Sequence, residues 1–425
     1  MRRVLVMVKA PPHRASFLLP LTIILIFAAL MLAYHAARTP AELDVYYVSP
    51  DGSDHNPGTL DAPFQTLRHA VSRLEAGKTL YIRAGTYAEA LENTIPGGDS
   101  WDRPVTIAAY PGELPVLAPV DTRRVLYFNR PTQHYIIIDG LILDGARIQN
   151  QVVKISGGAH HIRILNSEIK NAPGQGIHIS QWESQYNEFI NVDVHHNGLV
   201  DGVPNDHVHG IYIQTSHNTV RGSRFWSNGG QGVQIRRQSG FEQPVGNVVE
   251  GSRIYDQGRC VIVFDALDTT IANNVISGCS IGIQLNYDTA NTRIWNNTIV
   301  GNIRGIELSR RSAAASLINN IIADNAEYGV RALLPQAVSD MQYNLITGNG
   351  ADFVGEGIVR AADNLIGADY PPRFRNPDRR DYSLRRRSAA IDAGISLPDI
   401  TTDILGTPRP FGGAVDLGAY EFPRE

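Results

Sequence analysis

Cysteine and lysine are nearly missing from this chain. Cys260 and Cys279 are its only cysteines, and Lys9, Lys78, Lys154 and Lys170 its only lysines, among 425 residues. Two cysteines exclude a disulfide-built miniature scaffold and a multi-cysteine metal centre. They are expected to be two small buried apolar side chains, with one disulfide in an oxidising compartment as the alternative. An excess of positive charge is missing too. The formal net charge is -4, so no nucleic acid partner is expected. Helical periodicity is scarce after the N-terminal segment, which excludes strand–helix–strand units. Glycine is plentiful, at 39 residues, and together with asparagine it carries the argument below.

One long apolar run is present. Arg2, Arg3, Lys9 and Arg14 precede an uncharged stretch from Phe17 to Tyr34, 18 residues or about 27 Å of helix, close to the thickness of a bilayer core. No small-x-small cleavage site follows it. It is expected to be an uncleaved signal anchor in the lipid bilayer, with its basic side in the cytoplasm and everything after Arg38 outside. Cleavage and secretion are the alternative. The expected divisions are 1–38 for the cytoplasmic N-terminus and anchor, and 45–130 for an N-terminal cap and first coils. A repeat region at 131–350 follows, then last coils and a C-terminal cap at 351–425. The chain is expected to act as a monomer.

The repeat emerges when "ILNSEI" (164–169), "FINVDV" (189–194), "VRGSRF" (220–225), "VEGSRI" (249–254), "IANNVI" (271–276), "IWNNTI" (294–299) and "LINNII" (317–322) are aligned. Their third residues are Asn166, Asn191, Gly222, Gly251, Asn273, Asn296 and Asn319, spaced 25, 31, 29, 22, 23 and 23 residues apart. Glycine adopts positive φ freely and asparagine cheaply, so this position predicts one left-handed corner made seven times. About ten residues later each unit has a second apolar alternation, such as "GIHI", "GIYI" and "GVQI". Strand, corner, strand and turn in so few residues predict an all-β fold. It is a single-stranded right-handed parallel β-helix, a solenoid with Ile and Val pointing inward.

These repeats resemble the right-handed parallel β-helix superfamily of pectate lyases and related polysaccharide enzymes. The segment "YYVSPDGSDHNPGTLDAPFQTLRHAVSRLEAGKTLYIRAGTY" (46–87) is similar to the N-terminal part of bacterial members. Leu67, Ala70, Val71 and Leu74 share one helical face there and Gly77 can end the helix, giving a capping helix for the open first coil. "AIDAG…TDILGTPRPFGGAVDLGAYEF" is similar to the terminal segment of bacterial surface β-helix proteins and is expected to close the far end. The stretch "NDHVHGIYI…NGGQGVQI" resembles a run in mannuronan C-5 epimerases, where an Asn-Asp and then an Arg-His-Gly precede the same strand, with Val208 here in the place of the arginine. That resemblance implies a catalytic role for His209 and Asp206.

In each "GIxI" the residue x faces outward. The x column reads His178, Tyr212, Gln234, Ile262, Gln284, Glu307 and Arg331, and the column two residues later includes Ser180, Gln214 and Arg236. The residue before each glycine gives Gln175, His209 and Gln231. Three neighbouring coils thus pool His178, His209, Tyr212, Gln214, Gln231, Gln234 and Arg236. Two insertions flank them. Asn191 to Gly210 takes 19 residues where 9 or 10 is usual, and Gly232 to Gly251 takes 19 where 12 to 15 is usual. They are expected to wall a groove.

Such a groove suits a polysaccharide containing uronic acids, cut by a lyase or remodelled by an epimerase-like enzyme. Removing the proton α to a carboxylate requires neutralising the carboxylate, a base, and an acid for the leaving oxygen. Arg236 or Arg237 is the expected neutraliser, His209 the base and Tyr212 the acid or second base, with His178 beside them. Asp193, Asp201 and Asp206 are hard oxygen donors that could hold Ca²⁺. Trp182 and Phe241 are expected to stack on sugars. Neither Lys154 nor Lys170 is placed by this register to act as a base. A glycoside hydrolase would need two facing carboxylates, for which Asp206 and Glu242 are the available pair. A non-catalytic sugar-binding rod is the reading from another class.

Overall fold

The positive-φ corners are made as the spacing predicts. In the computed structural model, which describes residues 44–309, 311–357 and 363–423, Asn166, Asn191, Gly222, Gly251, Asn273, Asn296 and Asn319 have φ between 46° and 62°. Each corner joins two short strands, such as Glu188–Ile190 and Asp193–His195. The strands stack into three parallel sheets. The first runs from Val45–Val48 to Val338–Gln342 with 12 strands, and the second from Gly85–Tyr87 to Leu365–Ile366 with 12. The third has 11 strands, from Leu91–Glu92 to Phe353–Val354. The chain is an all-β right-handed parallel solenoid.

Alternation fixes what lies inside. Ile177, Ile179, Ile211, Ile213, Val233, Ile235, Val261 and Val263 are all fully buried along the third sheet. Each such side chain contributes roughly 1.5–3 kcal/mol of transfer free energy. The glycine before the inward Ile is required by stacking: a Cβ on Gly210 would lie 2.7 Å from the carbonyl oxygen of Gly232 in the next coil. The interior also carries an asparagine ladder that the repeat alignment does not single out. The Asn320 side chain donates to the Ile294 carbonyl (2.7 Å) and to Asn344 Oδ1 (2.9 Å). Asn274 and Asn297 repeat the pattern in earlier coils. These amides satisfy one another and the turn carbonyls, so burial leaves no orphan donors.

A helix is present at the expected place but only over Leu67–Val71, ending at Ser72 before Leu74 and Gly77; it is capped by the Thr66 hydroxyl, with Leu67, Ala70 and Val71 buried. The anchor at 17–34 lies outside the described residues. Among the described residues no helix is long and apolar enough to cross a membrane.

One expectation is corrected. Cys260 and Cys279 are buried, but they are joined by a disulfide, with Cα atoms 5.8 Å apart. Cys260 stands in the glycine column and Cys279 one coil-turn later, so their side chains meet inside the stack. The C-terminal segment packs on the side of the coils. Its hairpin, Phe374–Asn376 with Asp381–Leu384, and residues Ala390, Leu417, Ala419 and Tyr420 pack on Val275, Val300, Ile321 and Leu345. It therefore runs back along the flank of the second sheet. Those residues project outward from their strands as Val, Ile and Leu rather than polar groups, which gives the segment an apolar face to cover.

Candidate active site

The outward column of the third sheet follows the predicted register. His178 pairs with Tyr212, Tyr212 with Gln234, and Gln234 with Ile262. His178 stacks on Tyr212 with centroids 5.0 Å apart at 9°. Its Nε2–H donates to Gln214 Oε1 (2.8 Å), and the Gln214 amide donates to the Tyr212 hydroxyl (3.1 Å). The tyrosine oxygen is thus held by an amide donor while its own proton stays free to be given away. Burial raises the Tyr212 pKa, opposed by the nearby Arg236.

His209 is only 4% exposed. The Gln231 backbone N–H donates to its Nδ1 (3.3 Å), its ring meets Tyr212 edge-on at 5.3 Å, and Gln234 hydrogen-bonds its side chain. The ring is wedged beneath Tyr212 and Gln234 rather than open to a ligand. Burial, followed by the charges of His207 and Arg236, lowers its pKa to about 3. Burial and the charge of Lys154 lower that of His178 to about 3 as well. Both rings are neutral near pH 7. The unfolded chain holds protons on them below about pH 6.5, so folding stability is complete above that pH and falls as pH drops towards 3. Between pH 6.5 and pH 5 the expected loss is roughly 2 kcal/mol per ring at most. Denaturant midpoints at those pH values, compared between the wild type and His178→Asn, should differ by about one ring's share.

The column extends one coil further than the glycine pattern indicated. Lys154 pairs with His178 on one side and Tyr127 on the other. It is 8% exposed, and its Nζ donates to Ser180 Oγ at 2.5 Å. Burial first, and the charge of Arg124 second, depress its pKa to about 7. The expectation that Lys154 is badly placed for a base is therefore wrong in its geometric premise: it lies directly beside His178. Arg124 donates from Nε to Gln151 Oε1 (3.0 Å) and covers the Tyr127 ring at 4.4 Å. Neither Lys154 nor Arg124 was among the expected site residues. Comparing "VVKIS" (152–156) with "GIHIS" (176–180) reveals the shared register despite the absent glycine.

Three outward columns, from Gln151 to Asn286, contain no aspartate or glutamate. Arg124 and Lys154 bound the patch at one end, Arg236 and Arg259 at the other. Arg236 lies over the Phe264 ring at 4.5 Å. Three buried atoms in the patch have no hydrogen-bond partner: His178 Nδ1, Gln231 Oε1 and Arg259 Nε.

Both insertions fold beside this patch. The first forms an antiparallel ribbon, Leu199–Val200 with Val203–Pro204, at the N-terminal ends of the strands. Asp201 and Gly202 are its two positive-φ turn residues, as a tight hairpin requires. Gly229 and Gly230 let the ribbon's return segment settle on the next coil, since a Cβ on Gly230 would lie 2.6 Å from the Asp206 carbonyl oxygen. The second insertion lies at the C-terminal strand ends. Gln238 Oε1 there accepts the Gln181 N–H (2.9 Å), and a hollow of about 500 Å³ opens between Trp182, Glu183, Phe241, Glu242, Gly157 and Gly158. A larger concavity of about 850 Å³, lined by Arg375, Arg385 and Phe422 among others, belongs to the C-terminal segment.

The expected calcium set does not assemble. Asp193 stands on the second sheet in an ion pair with Arg224. Asp201 is an exposed ribbon turn, and Asp206 approaches the patch through its backbone, its carbonyl accepting from the Gln231 amide at 3.5 Å. Among the described residues no three His, Cys, Asp or Glu side chains converge as a metal site. A calcium ion needs several oxygen ligands, so these residues do not fit one. Arg237 is likewise withdrawn, paired with Asp265 at 3.2 Å.

A stack of parallel coils with an outward polar patch walled by two insertions defines a pectate-lyase-like right-handed β-helix. The family described as Pel9A-like, right-handed β-helix region, matches residues 46–353, and the chain belongs to that family. Protein YwoF of Bacillus subtilis is 32% identical over 158 residues, 34% of this chain and 33% of that one. Pectate lyase PEL9 of Emericella nidulans is 43% identical over 88 residues, 21% of this chain and 20% of that one. The matched segments thus span about a third and a fifth of these relatives. The crystal structure of pectate lyase Pel9A superposes over 89% of this chain and 96% of its own with a TM-score of 0.52 at 19% identity.

Proposed function

We propose that the chain is a polysaccharide lyase acting outside the cytoplasm on a polymer containing uronic acids. The observation that carries this reading is a depressed lysine in a carboxylate-free, cation-bounded patch: Lys154, with a pKa of about 7, lies beside His178 in a column that continues through Tyr212 towards Arg236 at its other end. Its amine is half neutral at neutral pH, the state a general base requires. Lys154 Nζ takes the proton from the carbon α to the uronate carboxylate. The electron pair forms the new carbon–carbon double bond, the bond from the β carbon to the glycosidic oxygen breaks, and Tyr212 protonates the departing oxygen. Arg236 and Arg124 offset the developing carboxylate charge. His209 positions Tyr212 and Gln234 in place of its expected part as the base. The kinship with pectate lyases supports the choice of substrate class.

The basic residues and apolar run before residue 38, with the Cys260–Cys279 disulfide, support an extracytoplasmic location. The test is incubation with polygalacturonate, alginate, hyaluronan and unsulfated chondroitin, following ultraviolet absorbance of the unsaturated product. Absorbance that rises with the wild type and stays flat with Lys154→Met supports the reading. A flat trace on every polymer overturns it.

A further inference from the structure

The hollow beside the cationic patch differs from it in charge. It starts immediately after Ser156 and Ser180, which lie two residues beyond Lys154 and His178, just past the ends of their strands. Trp182 and Phe241 supply two ring faces, and Phe241 is 40% exposed. Gly157 and Gly158, both at positive φ, form a floor with no side chains of its own, on which Gln181 Oε1 accepts the Gly157 N–H and against which Glu183 is set: a Cβ on Gly158 would lie 3.1 Å from Glu183 Oε2. Glu242 completes the wall. Both glutamates are exposed, no arginine or lysine lines the hollow, and the nearest cation of the second insertion, Arg237, is held by Asp265.

Aromatic faces over an open floor suit the apolar face of a pyranose ring. Two carboxylates without a counter-charge suit hydroxyl or amine donors and repel a uronate. We infer that this hollow, defined by Trp182, Phe241, Glu183 and Glu242, is a subsite for a non-acidic sugar, so that the polymer alternates uronate with a neutral or amino sugar. The inference rests on the lyase reading for the neighbouring patch, but it concerns binding as well as turnover. A polymer of uronates alone would place a carboxylate between Glu183 and Glu242 whenever another occupied the patch.

The test measures binding by the inactive Lys154→Met protein and turnover by the wild type. The probes are oligomers of polygalacturonate and alginate against oligomers of hyaluronan, unsulfated chondroitin and a rhamnose–galacturonate polymer. At least one alternating oligomer should bind about tenfold or more tightly than either pure uronate. Adding Glu183→Gln and Glu242→Gln should tighten binding of the pure uronates by about tenfold and erase the preference. Trp182→Ala should weaken the alternating ligand while leaving the pH limb of wild-type turnover in place. Equal or tighter binding of pure uronates, a preference unmoved by the double glutamine variant, or no binding to any oligomer overturns the inference. Binding with this preference but without turnover would overturn only the lyase chemistry.

Discussion

Lys154→Met is expected to reduce turnover by a factor of about 10² to 10⁴, the range contributed by a general base, while the protein folds and binds its substrate. Lys154→Arg should lose as much. Its guanidinium keeps the positive charge but stays protonated at all working pH values, so a role in charge neutralisation alone would be rescued and proton abstraction would not. In the wild type the base is competent only when neutral. With a pKa of about 7, kcat/KM should rise with pH through that value and level off above it, and the limb should vanish from the residual activity of either variant.

The methionine substitution should move stability the other way. The folded pKa of Lys154 lies below its unfolded value near 10.5, so the unfolded chain binds the extra proton between about pH 7 and 10.5. Folding stability therefore rises with pH across that window, and the full penalty of a buried ammonium is present below pH 7. Removing the amine should stabilise the protein at pH 6 by on the order of 1–3 kcal/mol, after loss of the Ser180 hydrogen bond is set against relief from desolvation. A dead but more stable variant separates a functional lysine from a structural one. A midpoint lowered by the methionine would instead mean that Lys154 holds the coils together, and the role as base would fall with it.

What could be read from the sequence follows from how narrowly each feature restricts residue type. Few residues accept a left-handed corner cheaply, so Asn166 through Asn319 mark seven successive coils and fix the register of Tyr212, His178 and Gln234. The glycine before each outward residue is a weaker marker, because it is required only where the next coil's carbonyl approaches. The coil at Val153–Ile155 has Val152 in that place, and counting from glycines started the column one coil late, omitting Lys154. Asp193 follows the corner residue Asn191 by two positions, which puts it on the second sheet. Proximity in sequence to Asp201 and Asp206 hid that. The disulfide was illegible for another reason: both cysteines are buried as small apolar groups would be, and only the stacking of coils brings them into contact. In the C-terminal segment the spacing that identifies coils stops, leaving nothing in local pattern to say which surface it covers.

That segment is the place where a single substitution should cost most. Arg409→Met is expected to lower stability by about 3–5 kcal/mol, the usual result of removing one partner from a buried ion pair. Arg409 pairs with Glu421 at 2.8 Å, with both side chains 1% exposed, and donates to the carbonyls of Asp416 (2.9 Å) and Gly418 (2.7 Å). It also reaches Asn273 Oδ1 at 3.1 Å on the corner row, so it ties the segment to the coils. Without it, Glu421, Asp416 and Asp403 remain buried with no counter-charge. Burial already raises the Asp416 pKa to about 6. A raised carboxylate binds its proton in the folded state first, so its penalty is present above about pH 6 and is relieved as pH falls towards 4. The deficit of Arg409→Met should accordingly shrink between pH 7 and pH 5, opposite in sign to the effect of the two buried histidines. Limited proteolysis should find the lesion in the 363–423 segment, because the coils keep their own ladders of hydrogen bonds. Turnover below the melting transition should be preserved, since Lys154, His178 and Tyr212 stand on the third sheet and none of them touches the flank that Arg409 secures.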